Sequence, residues 1–165
     1  MKRTIITSIL LSISFISFSQ IDSLQKEINE QVWKPFVSAY NNRDNDALSK
    51  VHSKELIRIA QDEKVILGYA EYFRKVPDSI KARRSNWQFS IELRFAQRIA
   101  SAGKAFEVGY FKLIRKNTQT GDNSISFGKF HVLLRKEEGV WKILMDADSS
   151  VQADEKSFLA ASPLE

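Results

Sequence analysis

The stretch that decides the fold runs from Gly128 to Asp148, GKFHVLLRKEEGVWKILMDAD. Apolar and polar residues alternate on both sides of Lys136-Glu137-Glu138-Gly139, a charged turn whose Gly supplies a permissive backbone, so it reads as a β-hairpin. With Arg135 set opposite Val140, counting outward places Leu134 opposite Trp141, Val132 opposite Ile143, Phe130 opposite Met145 and Gly128 opposite Ala147. One face is then wholly apolar. The other carries Lys129, His131, Arg135, Lys142 and Asp146, and a slip of one residue would bury those charges.

The strands before the hairpin follow the same period. Trp87, Phe89, Ile91, Leu93 and Phe95 alternate with polar residues, which predicts a long half-buried strand. Ser101-Ala102-Gly103 turns the chain into a second strand, Ala105 to Lys116, and the polar loop Asn117 to Asn123 leads into the hairpin. Setting Ile91 opposite Lys112, and Lys112 opposite Gly128, puts Phe106, Val108, Tyr110, Lys112 and Ile114 on the apolar face. A short strand is expected from Glu55 to Gln61, closed by the turn Asp62-Glu63-Lys64.

The first part of the chain is helical in pattern. Ile21, Leu24, Ile28, Val32, Phe36 and Tyr40 recur at three- and four-residue steps, predicting a helix from Asp22 to about Asn42 capped by Asp22 or Ser23. Pro35 should kink or split it, because proline lacks the N–H and crowds the preceding turn. Asp44 or Asn45 can cap a second, short helix through about His52, and YAEYFRKV after Gly68 predicts a third that stops before Pro77. Helices followed by a long meander give an α+β class, expected as a cone-like curved antiparallel sheet wrapping the N-terminal helices.

Composition narrows the setting. Residues 1–19 read as an export signal: a basic Lys2-Arg3 start, an apolar run from Ile5 to Phe18, and a small-x-small site before Gln20. A membrane anchor or a buried helix is the alternative, but the run is shorter than the ~20 residues a bilayer span needs. Cleavage near Ser19 and Gln20 would release the rest to a periplasm or the medium, leaving 20–148 as one domain and 149–165 as a C-terminal tail that holds a short helix or is disordered. The chain has no Cys, which excludes disulfides, thiolate metal sites, Cys nucleophiles and a lipid-anchored Cys. The net charge of +5 is spread along the chain and falls to +3 without Lys2 and Arg3, which argues against a nucleic-acid surface.

Together, the helix ending F-V-S-A-Y-N-N-R-D (36–44), Gly68 before its short helix and the hairpin pattern G-x-F-x-x-x-x-R-x-x-x-G-x-W-K-I (128–143) resemble the nuclear transport factor 2-like superfamily, in its SnoaL-like and steroid-isomerase-like branch. The likeness spans roughly Ile21 to Asp148 and implies its roll-shaped, cystatin-like fold. Steroid isomerases of this fold carry a tyrosine on the first helix and an aspartate base in the first strand. Counting places Phe36 and Ile59 at those positions, and neither can carry a proton. That mechanism is therefore not implied here, and no catalytic residue is assigned.

The residues expected to line a pocket are Trp33, Phe36, Tyr40, Tyr72, Tyr110, Lys112, Phe130 and Met145. Lys112 either snorkels to the rim or sits at the pocket mouth. On the other face, a cross-strand Lys129–Asp146 ion pair is a simpler account than a His131–Asp146 catalytic pair. His52 is expected to meet the end of its helix, and two isolated histidines do not make a metal site. Lys81-Ala82-Arg83-Arg84 reads as a solvated loop, with an acidic partner the alternative.

Nothing in the sequence calls for a metal or another cofactor. With Phe36 and Ile59 at the isomerase positions, the expected role is non-catalytic: binding a small apolar or amphipathic molecule, or serving as an accessory interaction domain. The alternative is a lyase or isomerase acting on a small organic substrate, with Tyr110 and Lys112 as its groups. A homodimer through the sheet face, with Phe111 and Phe127 on it, is a third reading.

Overall fold

The computed structural model describes residues 23–75, 77 and 86–165; the expected export signal, Asp22 and the Lys81 to Arg84 run lie outside them. A helix, α1, spans 23–41, and its middle turn, Asn29–Trp33, is a π turn. Lys34 donates its N–H to the Asn29 carbonyl five residues back, just before Pro35 enters the final α-helical section, Lys34–Asn41. The widened turn accommodates a residue with no N–H to donate, so the helix continues where a split was one expectation. After α1 come α2 (Asn45–Lys50), β1 (His52–Ala60), β2 (Val65–Gly68), α3 (Tyr69–Tyr72), β3 (Trp87–Ser101), β4 (Lys104–Asn117), β5 (Asn123–Glu137), β6 (Val140–Ser149), α4 (Glu155–Ala160) and β7 (Ser162–Pro163). Asp44 caps α2 by accepting from the Ala47 N–H at 2.9 Å.

The α+β class stands, but the expected cone does not. The seven strands form one open sheet in the order β2-β1-β6-β5-β4-β3-β7, with β2 and β7 as unjoined ends. It is also mixed, because β1 runs parallel to β6. An open sheet with two edges is not a closed or strongly curled wall.

The register of the hairpin differs from the one counted above, and this difference creates the site. Glu137 pairs with Val140, so the turn is only Glu138-Gly139, both at positive φ of 49° and 85°. Two left-handed residues are what a tight two-residue hairpin demands. A bulge at Leu144 then adds one residue to β6: Leu134 pairs with Ile143, but Leu133 pairs with Met145. Beyond it every side chain of β6 changes face, so Asp146 comes opposite Val132 and Asp148 opposite Phe130. Both carboxylates thus turn to the helix side, while Met145 and Ala147 turn away.

The β3–β4 and β4–β5 pairings are likewise one residue from those expected. Ile91 pairs with Leu113, and Lys112 with Phe127. Phe111, Leu113 and Glu107 therefore face α1, and Phe106, Tyr110 and Lys112 face the opposite side. The core gathers α1 residues Ile28, Val32 and Trp33 against Leu93, Phe95, Val132, Leu134, Trp141 and Ile143. Two glycines make room for its rings. A Cβ on Gly109 would fall 2.2 Å from the Arg94 carbonyl oxygen and 2.3 Å from the Phe130 ring, and one on Gly128 2.1 Å from the Phe111 ring. Gly109→Ala is therefore expected to cost about 1–3 kcal/mol, read as an earlier urea midpoint. A midpoint equal to that of the native chain would show that the strand moves aside freely.

The tail is ordered. Asp154 caps α4 through the Ser157 N–H at 2.8 Å, and Phe158 is buried against Phe127 with ring centroids 5.7 Å apart. β7 pairs with Arg94 and Phe95, covering part of the β3 edge. Of the two phenylalanines expected on a dimer face, Phe127 is thus packed by α4 and Phe111 faces α1. On the far side of the sheet, at its other end, Ile57 and Ile66 are exposed. Among the described residues, no helix is long and apolar enough to cross a membrane.

Candidate functional site

A cavity of about 510 Å³ lies between α1, α3 and the helix-facing side of the sheet. Trp33, Phe36 and Tyr40 reach it from one face of α1, because residues three and four apart on a helix share a side. Leu93, Phe111, Phe130 and Val132 supply the sheet surface opposite, and Asp62, Glu63 and Ser150 lie where the lining meets solvent.

Its chemistry sits on β1 and β6. Arg58 pairs with Asp146 in the β1–β6 register, and Ala60 with Asp148. Arg58 is 9% exposed, and its Nη2 donates to Asp148 Oδ2 at 2.6 Å. Its Nη1 donates to the carbonyls of Ile59 at 2.7 Å and Asp146 at 3.2 Å. Its Nε lies 3.6 Å from Asp146 Oδ2, an ion-pair distance but too long for a hydrogen bond, and is left without a hydrogen-bond partner. Asp146 therefore faces the cavity with only a partial claim on Arg58.

Burial pushes the Asp146 carboxyl up to about 6, against the opposing pull of Arg58. Burial also raises the guanidinium-side hydroxyls: Tyr72 is pushed up to about 12, with the Asp146 charge adding to the effect, and Tyr40 is raised as well. Both phenols thus keep their protons as donors, and the Arg58 guanidinium sits 5.6 Å from the Tyr72 ring centre. The set offers a carboxylate poised near neutrality, two phenol donors and a fixed guanidinium.

Behind the cavity, His52 opens β1 and is buried among Phe36, Tyr72 and Phe73. Burial pulls its pKa down to about 4, so the neutral ring donates from Nδ1 to the Leu48 carbonyl at 2.8 Å. This contact with the end of α2 is a hydrogen bond, not the charge–dipole contact expected. A second network fixes Trp33. The wholly buried Glu107 accepts from Trp33 Nε1 at 2.5 Å and Arg98 Nε at 2.9 Å, and Arg98 Nη2 reaches Asn29 Oδ1 at 2.7 Å. Asn29 and Trp33 are the two ends of the π turn.

Of the expected pocket residues, Trp33, Phe36, Tyr40, Tyr72 and Phe130 line this cavity. Tyr110, Lys112 and Met145 do not. Lys112 lies 3.8 Å from Glu92 on the opposite face, the Tyr110 ring is 6.0 Å from Lys129 Nζ, and Met145 pairs with Leu133 beyond the bulge. Gln97 is on that face too, opposite Val108. The expected Lys129–Asp146 pair is corrected: Lys129 stands opposite Ser149, and Asp146 meets Arg58. His131 stacks on Phe106 at 6.4 Å and is on the other side of the sheet from Asp146.

Arg58, Asp146 and Asp148 were not among the expected site residues. Two signals carried them: one charge inside the apolar run Ile57-Arg58-Ile59, and the spacing of Asp146 and Asp148, which puts two carboxylates on one strand face. Among the described residues, no group of three or more His, Asp and Glu is placed to hold a metal ion.

No protein-family model matches the chain, and no curated protein matches it significantly. Solved structures do. An NTF2-like protein with a cystatin-like fold from Novosphingobium aromaticivorans superposes with a TM-score of 0.66 at 11% identity, over 87% of this chain and 92% of its own. The chain thus has a fold similar to that of NTF2-like proteins. A candidate scytalone dehydratase from the same organism gives a TM-score of 0.65 at 13% identity, covering 88% of this chain and 97% of that one. A candidate calcium/calmodulin-dependent protein kinase type II association domain from Thiobacillus denitrificans gives 0.56 at 15% identity, over 72% and 91%. Identities this low speak for the fold alone, which hosts both catalytic and non-catalytic proteins.

Proposed function

We propose that this protein is an acid–base enzyme of the isomerase or lyase type, acting on a small organic substrate in the cavity. Asp146 is the base. It takes a proton from a carbon next to a carbonyl, and the electron pair moves onto the carbonyl oxygen. The Tyr72 and Tyr40 hydroxyls, on side chains that line the cavity, are the donors available to that oxygen. The proton then returns to another carbon in an isomerisation, or a leaving group departs in an elimination.

The observation that carries the reading is Asp146 itself: a carboxylate turned inward by the Leu144 bulge, 3.6 Å from the guanidinium of Arg58 and raised to about 6. A module that merely binds apolar molecules has no need of a charged group held there. The reading keeps the resemblance to the SnoaL-like and steroid-isomerase-like branch but moves the base to β6, because Phe36 and Ile59, at the positions of that branch's tyrosine and aspartate, carry no proton. It also takes residues 1–19 to be an export signal.

The test is deuterium exchange. The protein is incubated in D2O with small cyclic and aromatic ketones, some bearing an amino group, and α-hydrogen loss is followed by NMR. Asp146→Asn is expected to slow exchange about 100-fold, the usual contribution of a positioned general base. Equal exchange by the native chain and the variant would take the role of base from Asp146, and no exchange by either would return the protein to the class of non-catalytic ligand binders.

A further inference from the structure

The charge of this cavity runs against the charge of the chain. The chain carries 25 basic and 20 acidic residues. Among the described residues lining the cavity, four are carboxylates, Asp62, Glu63, Asp146 and Asp148, and two are guanidinium groups, Arg58 and Arg115. Arg58 is already held by Asp148 at 2.6 Å and faces Asp146 at 3.6 Å, so its charge is spent within the site. An entering anion would meet excess negative charge with Arg115 alone to offset it. A cation would meet the complementary field, focused by apolar walls. Around that charge stand Trp33, Phe36, Tyr40 and Tyr72, whose ring faces attract cations electrostatically.

We propose that the cavity takes a small organic cation, an ammonium-bearing molecule with an apolar body. This inference rests on reading the cavity as a substrate site and names the class of substrate. The two parts of the lining divide the work: the aromatic and aliphatic residues bury the body, and the carboxylates select the sign. The assignment also suits the chemistry, because a positive charge near a C–H bond makes its proton easier for a carboxylate to remove.

The experiment compares three single-ring probes of similar size: benzyltrimethylammonium, benzyl alcohol and phenylacetate. Each is titrated calorimetrically into the full chain at low ionic strength. The cation is expected to bind about 10-fold more tightly than the anion, and Glu63→Gln to reduce that preference about threefold, as loss of one partly screened charge predicts. Phenylacetate binding as tightly as the cation would overturn the cation assignment and leave the cavity reading intact. A preference unchanged in Glu63→Gln would overturn the part given to the carboxylates at the cavity mouth in selecting the sign, while a preference that disappears entirely would place it on Glu63. Failure of all three probes to bind would remove the cavity reading along with it.

Discussion

Glu107→Ala is expected to destabilise the protein by about 3–5 kcal/mol, because it strands one partner of a buried ion pair. The Arg98 side chain is 16% exposed, and Glu107 is its ion-pair partner at 2.9 Å. The same truncation removes the acceptor of the Trp33 indole N–H and weakens the tie between the π turn and β4. Burial raises the Glu107 carboxyl's pKa, against the pull of Arg98, so Glu107 is held at a desolvation cost that only its partners offset. Thermal unfolding measures the loss: at about 2–4 °C per kcal/mol for a domain of this size, the midpoint should fall by roughly 6–20 °C. The double variant Arg98→Met, Glu107→Leu should recover much of that fall, since replacing both charges by apolar groups removes the orphan. If the single variant melts within about 2 °C of the native chain, the network is not what seats Trp33.

Why this network was hidden in the sequence is a matter of one residue of register. Alternation in KAFEVGYF shows which β4 residues share a face, but not which face is inside. Both sides of β4 carry aromatic residues: Phe111 lines the cavity, and Phe106 stacks on His131 across the sheet. With two apolar faces, pattern alone cannot orient the strand. The α1 stripe was legible because a helix has only one such face, and Trp33, Phe36 and Tyr40 all reach the cavity. The hairpin was legible as a hairpin. The Leu144 bulge was not, because an extra residue between two apolar neighbours leaves no mark on composition. That single insertion moved Asp146 and Asp148 from the expected outer face to the site, and Met145 the other way. The open sheet was equally unreadable: the parallel β1–β6 pairing joins strands 80 or more residues apart, and nothing local encodes it.

Asp146→Asn should stabilise the protein at pH 7 relative to pH 4, while removing the proposed base. The carboxyl's pKa stands at about 6 when folded, against an ordinary 3.8, so the native state binds its proton more tightly than the unfolded chain does. The stabilisation from that proton is complete below pH 3.8 and is lost as pH rises through 6. At about 1.4 kcal/mol per unit of pKa shift, the native chain loses roughly 3 kcal/mol across this window, and the asparagine variant loses none from position 146. Urea titrations at pH 4, 5, 6 and 7 should therefore show the free-energy difference between the two proteins moving in the variant's favour by about 2–3 kcal/mol, most steeply near pH 5, midway between the unfolded and folded values. Parallel curves would mean that Arg58 neutralises Asp146 as fully as it does Asp148, and that no base is poised there. A carboxylate kept at a cost to stability, in a cavity where its removal slows proton transfer, is the signature of a site maintained for chemistry. If the variant instead gains stability and exchanges α-hydrogens as fast as the native chain, Asp146 serves charge balance in the Arg58 cluster, and the proton acceptor must be sought among the other carboxylates that line the cavity.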